Sequence, residues 1–276
     1  MDIITGSKDQ TVKTWRIFTE SNKFTSLKTY IGHDASVSFV DFIQEDSEES
    51  SVDVISSGFD NTILLWIIQN QVPVEEAPAK AKKGKRKNQE KEDNVVSKPD
   101  FKFTGHKQKV SAAKWCSREQ LISGSNDNTV KLWDAASGIA VNTLHGNRAV
   151  TCLDHSKSKN LTVTGHNDNR LRLWDVRSNE GELIKQTFKS HKGWVTSVEF
   201  HPKEENLFIS SSLDKSVKVW DVRSSIPLHT LPEFKDKVLT STWKKKYDEE
   251  EESATDHILS GGADTKLTIT NIVTKR

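Results

Sequence analysis

Hydrophobic and polar positions from Leu121 to Asp134 fall into three short blocks: Leu-Ile-Ser, then Gly-Ser-Asn-Asp-Asn, then Thr-Val-Lys-Leu-Trp-Asp. An apolar entry, a cluster of turn formers and a β-branched, aromatic exit read as two strands joined by a tight hairpin. The block recurs. Anchored on the turn aspartate there are six copies, at Asp9, Asp60, Asp127, Asp168, Asp214 and Asp264, at intervals of 51, 67, 41, 46 and 50 residues. A hydroxyl stands four residues before each (Thr5, Ser56, Ser123, Thr164, Ser210, Ser260), and an aliphatic side chain stands three after (Val12, Ile63, Val130, Leu171, Val217, Leu267). Six residues after the aspartate comes a tryptophan in five copies, Trp15, Trp66, Trp133, Trp174 and Trp220, with Thr270 in the last. Three landmarks held in register through six copies establish an internal repeat.

Further strands are expected between the hairpins. After Gly105-His106 the pattern predicts strands at Val110 to Trp115, Gln120 to Ser123, Thr129 to Trp133 and Ala140 to Leu144, and the neighbouring units follow the same rhythm. Short antiparallel strands with a period near 40 to 50 residues predict four-stranded sheets arranged radially, an all-β propeller forming one domain over residues 1–276. The first unit shows three strands, the next four show four each and the last shows three, so 22 strands are expected. That is about five and a half blades of an expected seven, a six-bladed ring of 24 strands being the other count left open, and on either count the chain starts inside a blade. Unpaired sheet edges at both ends then predict marginal solubility for this stretch by itself.

Composition narrows the function classes. Charged residues make up 29% of the chain yet nearly cancel to a net +1, which argues against a surface that coats nucleic acid generally. Cys116 and Cys152 are the only cysteines and lack the spacing of a disulfide framework or a zinc site, so a reducing compartment is expected, with no metal and no cofactor. The N-terminal residues show neither a basic segment nor a long apolar one, so neither secretion nor membrane spanning is supported.

Charge gathers in three insertions. Residues 71–99 carry Lys80, Lys82, Lys83, Lys85, Arg86, Lys87 and Lys91 with Pro73, Pro78 and Pro99, and this tract is expected to be disordered. Its cluster Lys82, Lys83, Lys85, Arg86 and Lys87 reads as a nuclear-import signal, a nucleic-acid tether or a solvated spacer, and composition leaves all three open. Acidic insertions are expected at 44–53 and 247–256. In an up-and-down sheet all three connections leave from one end of the strands. The opposite end has tight connections holding Lys107, Lys109, Arg148, Lys192, Trp194, Lys235 and Lys237, candidate partner contacts suited to an acidic peptide, a partner domain or RNA phosphates.

Two enzymatic readings fail on pattern. A His/Ser/Asp combination resembles a hydrolase triad, but it repeats unit after unit with no G-x-S-x-G elbow. Gly261-Gly262-Ala263-Asp264 resembles a phosphate loop, but it is the repeat's turn, and no G-x-x-x-x-G-K-S/T occurs. No catalytic residues are expected.

The Gly-His, Asp and Trp-Asp landmarks resemble the WD-repeat family over nearly the whole chain outside the insertions. That resemblance implies a buried hydrogen-bonded set in each blade, and the residues match for His33, Ser56, Asp60 and Trp66, for His106, Ser123, Asp127 and Trp133, and for His191, Ser210, Asp214 and Trp220. A buried carboxylate beside an imidazole and an indole N–H must be paired or it destabilises its sheet. The copies at Asp168 and Asp264 lack the preceding Gly-His pair, so looser turns are expected there.

The segments 191–198, 212–224, 236–239 and 259–267, with the lysine-rich loop, are similar to one eukaryotic subfamily: WD-repeat ribosome-biogenesis factors that assemble with pescadillo-type and block-of-proliferation-type proteins. This implies a noncatalytic scaffold of the nucleus, in nucleolus and nucleoplasm, serving pre-60S ribosomal particles and maturation of large-subunit rRNAs. Two other readings stay open, direct pre-rRNA binding and a generic WD-repeat adaptor such as a ubiquitin-ligase substrate receptor. The subfamily also carries a ubiquitin-like domain gripped by the AAA ATPase midasin. No such segment is present in these residues, which puts that engagement in question.

Overall fold

The computed structural model describes residues 2–18, 23–44, 51–68, 94–176, 184–231, 234–244 and 255–273. Every element among them is a β-strand, and the strands form six sheets. The chain divides into two compact units, Met1–Ala113 and Lys114–Arg276.

In the first unit, β1 (Asp2–Gly6), β2 (Thr11–Phe18) and β3 (Lys23–Ile31) form an antiparallel sheet. The second sheet contains β4 (Val37–Gln44), β5 (Val52–Gly58), β6 (Ile63–Ile68) and β8 (Phe101–Phe103). Between them in sequence lies β7 (Val95–Val96), which pairs in parallel with β3 at Thr29 and Tyr30. Val12, Tyr30, Val37, Val54, Leu64 and Trp66 form the core between the two sheets, and Val96 packs against it.

The later sheets repeat the arrangement. The third joins β9 (Val110–Trp115), β10 (Gln120–Ser125), β11 (Thr129–Asp134) and β12 (Ala140–His145). The fourth joins β13 (Val150–Ser156), β14 (Leu161–His166), β15 (Arg170–Asp175) and β16 (Ile184–Lys189). The fifth joins β17 (Val195–Phe200), β18 (Leu207–Ser212), β19 (Val217–Asp221) and β20 (His229–Thr230). The sixth has three strands, β21 (Val238–Trp243), β22 (Thr255–Gly262) and β23 (Leu267–Val273).

Two expectations are corrected. Among the described residues there are 23 strands rather than 22, because Val95 and Val96 fall inside the tract expected to be disordered. A two-residue strand has no readable alternation. It exists because the Thr29 N–H donates to the Asn94 carbonyl at 2.8 Å and Val96 reaches the neighbouring core. The acidic insertions are also shorter than expected, since Gln44 pairs with Val52, Ile43 with Asp53 and Asp256 with Ile272. The lysine cluster 82–87 and the acidic residues 247–254 lie outside the described residues.

The turn has one shared conformation. The residue after each of the six aspartates has positive φ: Gln10 (74°), Asn61 (66°), Asn128 (68°), Asn169 (65°), Lys215 (69°) and Thr265 (64°). Asparagine tolerates this left-handed region best among residues with a side chain, and three copies use it. The aspartate secures the turn by accepting the N–H two residues on, at 3.0 Å for Thr11, 3.1 Å for Thr62, 3.0 Å for Thr129, 3.0 Å for Ser216 and 3.1 Å for Lys266.

Neighbouring sheets lock through small residues and a bulge. A β-carbon added to Gly6 would sit 2.5 Å from Val37 Cγ1, one on Gly124 2.5 Å from Val150 Cγ1, and one on Gly165 2.6 Å from Val195 Cγ1. Each valine begins the leading strand of the next sheet, and the register shifts directly after it. Such a bulge re-aims the extra side chain. Accordingly Ser38 Oγ donates to the Val110 carbonyl (2.5 Å), Thr151 Oγ1 to that of Val195 (2.6 Å) and Thr196 Oγ1 to that of Val238 (2.8 Å).

Candidate functional site

The repeat's polar landmarks converge inside the sheets. In the second sheet, Trp66 Nε1 donates to Ser56 Oγ (2.9 Å), Ser56 Oγ meets His33 Nε2 (2.8 Å) and His33 Nδ1 meets Asp60 Oδ2 (2.8 Å). With the imidazole proton on Nδ1, the serine hydroxyl donates to Nε2 and every donor in the series has an acceptor. Asp60 also accepts the Asp34 N–H (3.0 Å) and the Thr62 hydroxyl (2.9 Å). Burial would raise the Asp60 carboxyl, but the His33 hydrogen bond, with the Asp34 and Thr62 donors, holds it at about 2.

The fifth sheet repeats this atom for atom. Trp220 Nε1 donates to Ser210 Oγ (2.8 Å), Ser210 Oγ meets His191 Nε2 (2.8 Å), and His191 Nδ1 meets Asp214 Oδ2 (2.9 Å). Asp214 further accepts from the Lys192 N–H (2.8 Å) and the Ser216 hydroxyl (2.6 Å). Against the opposing effect of burial, the His191 and Ser216 hydrogen bonds hold this carboxyl far below the usual carboxylate range. In the third sheet Trp133 Nε1 donates to Ser123 Oγ at 2.8 Å, Asp127 takes the Thr129 hydroxyl at 2.6 Å, and His106 is buried. Ser56, Ser123 and Ser210 are fully shielded from solvent, so these hydroxyls offer a substrate no approach.

The copy at Asp168 was expected to be looser, and it is rebuilt instead. His166, two residues before the aspartate, places Nε2 2.8 Å from Thr164 Oγ1 and Nδ1 3.1 Å from the Arg148 carbonyl, while Trp174 Nε1 donates to Thr164 (2.7 Å). Arg172 then clamps Asp168 with two bonds of 3.1 and 2.6 Å. Desolvation, with the charge of Arg172, brings His166 down to about 4 and keeps it neutral. The signal was present as His166 and Arg172, an imidazole and a guanidinium placed two before and four after the aspartate. It did not follow the order of the other copies. The first sheet keeps a reduced set in which Trp15 Nε1 donates to Thr5 Oγ1 at 2.8 Å.

The candidate contact residues lie where the turn aspartates lie. In the second unit, the connections entering β13, β17 and β21 are tied to the turn of their own sheet, through Asn167 N–H to the Ala149 carbonyl (3.4 Å), Leu213 N–H to Trp194 (2.9 Å) and Ala263 N–H to Lys237 (2.8 Å). Arg148, Lys192, Lys235 and Lys237 are exposed there, and Trp194 is 54% exposed. Lys215, not anticipated for this rim, donates through Nζ to the Lys235 carbonyl at 3.1 Å. In the first unit Lys107 is exposed, while Lys109 is half-buried with Nζ 3.9 Å from the Phe59 ring centroid. Burial lowers the Lys109 ammonium, so this lysine is committed to an aromatic face rather than offered to solvent. Among the described residues no group of His, Cys, Asp and Glu side chains is placed to hold a metal.

Comparison with known proteins accounts for this construction. The sea anemone Nematostella vectensis has a protein described as a ribosome biogenesis protein WDR12 homolog, 30% identical over 270 residues, covering 96% of this chain and 61% of that protein. Homologs so described in Oryza sativa subsp. japonica and Brugia malayi are 31% and 34% identical, covering 98% and 96% of this chain and 60% and 59% of those proteins. The chain therefore spans about three fifths of the length of these relatives. The family described as WD domain, G-beta repeat matches residues 24–66, 97–134, 138–175 and 183–221, more than half of the sequence. By that match, and by the His, Ser, Asp and Trp sets that the repeats bury, the chain belongs to the WD-repeat family.

Proposed function

We propose that this chain is the WD-repeat part of a ribosome-biogenesis factor. It acts without catalysis, as a nuclear and nucleolar scaffold required for the large (60S) ribosomal subunit and for maturation of its rRNAs. The observation that carries the reading is the match to proteins described as ribosome biogenesis factors over 96 to 98% of the chain. The geometry is consistent with it: the His, Ser, Asp and Trp sets of the second and fifth sheets are consumed in holding those sheets, which leaves the strand ends for contact. We further propose a seven-bladed ring for the intact protein, contacts to pescadillo-type and block-of-proliferation-type proteins and to the pre-60S particle, and the exposed rim of Arg148, Lys192, Trp194, Lys235 and Lys237 as one contact face.

Affinity purification from the source cells, followed by depletion, tests this. Large-subunit assembly factors should co-purify. Depletion should accumulate large-subunit rRNA precursors while the small subunit is spared. Recovery of ubiquitin-ligase subunits without assembly factors, or normal rRNA maturation after depletion, would overturn the reading.

A further inference from the structure

At the strand ends opposite the turn aspartates, residues of the fourth and fifth sheets and their connections line a cleft of about 590 Å³. Its floor is aliphatic: Leu161, Leu173 and Val222 line it from the buried core between these two sheets. Its rim is basic, formed by Lys159, Lys185 and Arg223, and among the described residues no carboxylate lines it. None of the repeat landmarks contributes. Lys159 comes from the β13–β14 connection, Lys185 from the start of β16, and Arg223 from just beyond β19.

The cations are arranged rather than scattered. Lys159 Nζ donates across the cleft to Asn206 Oδ1 at 2.5 Å, a neutral partner that fixes the ammonium without cancelling its charge. Arg223 is already forked onto Asp221, with Nε 2.9 Å from Oδ1 and Nη2 2.5 Å from Oδ2, so that pair is close to neutral. The excess positive charge over the aliphatic floor therefore rests on Lys159 and Lys185.

We infer that this cleft is a docking site for a short extended segment of a partner protein, one that sets a carboxylate beside an aliphatic side chain. The size falls within the range of ligand sites, in which an apolar floor supplies affinity and a few polar groups supply orientation. Charge complementarity selects an acidic ligand. Two features favour peptide over RNA. Among the described residues no aromatic ring lines the cleft on which a base could stack, whereas single-stranded nucleic acid sites depend on such platforms. The guanidinium, the group best shaped for a phosphate, is spent on Asp221, and the two lysines suffice as point charges for a carboxylate.

A fluorescent peptide of alternating glutamate and leucine, titrated against the whole 276-residue chain, tests it. Binding should perturb backbone amide resonances at Lys185, Gln186 and Asn206. Lys185→Glu, a change at an exposed position that leaves the core untouched, should weaken binding about tenfold or more, and Lys185→Arg should retain it. Oligo-glutamate without leucine should bind at least about tenfold more weakly, because the floor is then unfilled. Equal binding of oligo-glutamate would reduce the cleft to diffuse charge and overturn the proposal. Displacement of the peptide by a single-stranded RNA that itself depends on Lys185 would replace the peptide with nucleic acid. Absence of binding at concentrations on the order of 1 mM would remove the site.

Discussion

The fifth and sixth sheets are written in the same repeat, and side chains at matching positions meet opposite fates. Val217 and Val219 of β19 are fully buried, whereas Leu267 and Ile269, at the same steps from their aspartate, are 71% and 62% exposed. Thr196 sits at the bulge of β17 and bonds to the next sheet, but the bulge of β21 presents Leu239, an aliphatic residue half in solvent. The polar set differs in parallel. Asp214 gathers His191, Lys192 and Ser216, while Asp264 secures its turn through the Lys266 N–H, and Thr270 stands where Trp220 would. Burial in this architecture is thus a property of a sheet and its neighbour together. Among the described residues, the sixth sheet carries the apolar pattern of a covered face on a face that is open.

The strongest test of that contrast is a pair of glycines. Gly165→Val should destabilise the chain by about 3 kcal/mol or more, because its side chain must displace Val195 and Cys152 in a packed interface. Gly261→Val should change stability by less than about 0.5 kcal/mol, since an added β-carbon meets nothing nearer than Thr240 Cγ2 at 3.4 Å. Urea unfolding of both variants decides the matter, and equal losses would mean that the sixth sheet is covered in solution.

Next in size is the carboxylate pair. Asp214→Ala strands the His191 imidazole and two backbone donors in a buried set and should cost about 3 kcal/mol. Asp264→Ala removes a turn bond near solvent and should cost about 1 kcal/mol or less. Similar values by thermal and urea melts would contradict the view that the sets, rather than the turns alone, carry the stability.

A smaller effect separates the rebuilt fourth sheet from the second. His166 titrates at about 4 in the folded chain and near 6.5 unfolded, so the unfolded state takes up its proton first. Its contribution is complete above pH ~6.5 and is lost as pH falls toward about 4. Asp60 behaves at lower pH: held at about 2, it stabilises above its unfolded value near 4, and this contribution disappears as pH drops through about 2. His166→Gln should reduce the slope of the stability profile between pH ~6.5 and ~4, with His155, which burial also brings to about 4, supplying part of what remains, and leave the more acidic limb in place. A profile unchanged by that substitution would show that His166 is not the titrating group.

The smallest expected effect is a gain. Lys215 and Thr265 hold the left-handed turn position that asparagine fills in three other copies, and Lys215→Asn should stabilise the fifth sheet by about 0.5 to 1 kcal/mol. A loss would indicate that the bond from Lys215 Nζ to the Lys235 carbonyl outweighs the backbone strain.

Much of the fold was legible because the repeat states each landmark several times. Strand positions came within a few residues, since alternation and turn chemistry are local properties. The tryptophan, hydroxyl and aspartate positions were readable for the same reason. What escaped were single events. Val95 and Val96 have no pattern of their own and are a strand only because β3 is beside them. His166 and Arg172 replace a missing histidine from positions that no other copy uses for that purpose. Lys159, Lys185 and Arg223 lie far apart in sequence and become one cleft through the stacking of two sheets.

By itself, the sequence determined the strand repeat, the six aspartate turns and the identity of the side chains that fill each sheet, because these depend on spacing along a single segment of backbone. Tertiary structure alone decided which apolar faces are covered, how the fourth sheet restores its polar set, and where basic residues gather over an aliphatic floor. Those outcomes depend on distances between segments remote in the chain, and periodicity carries no information about such distances.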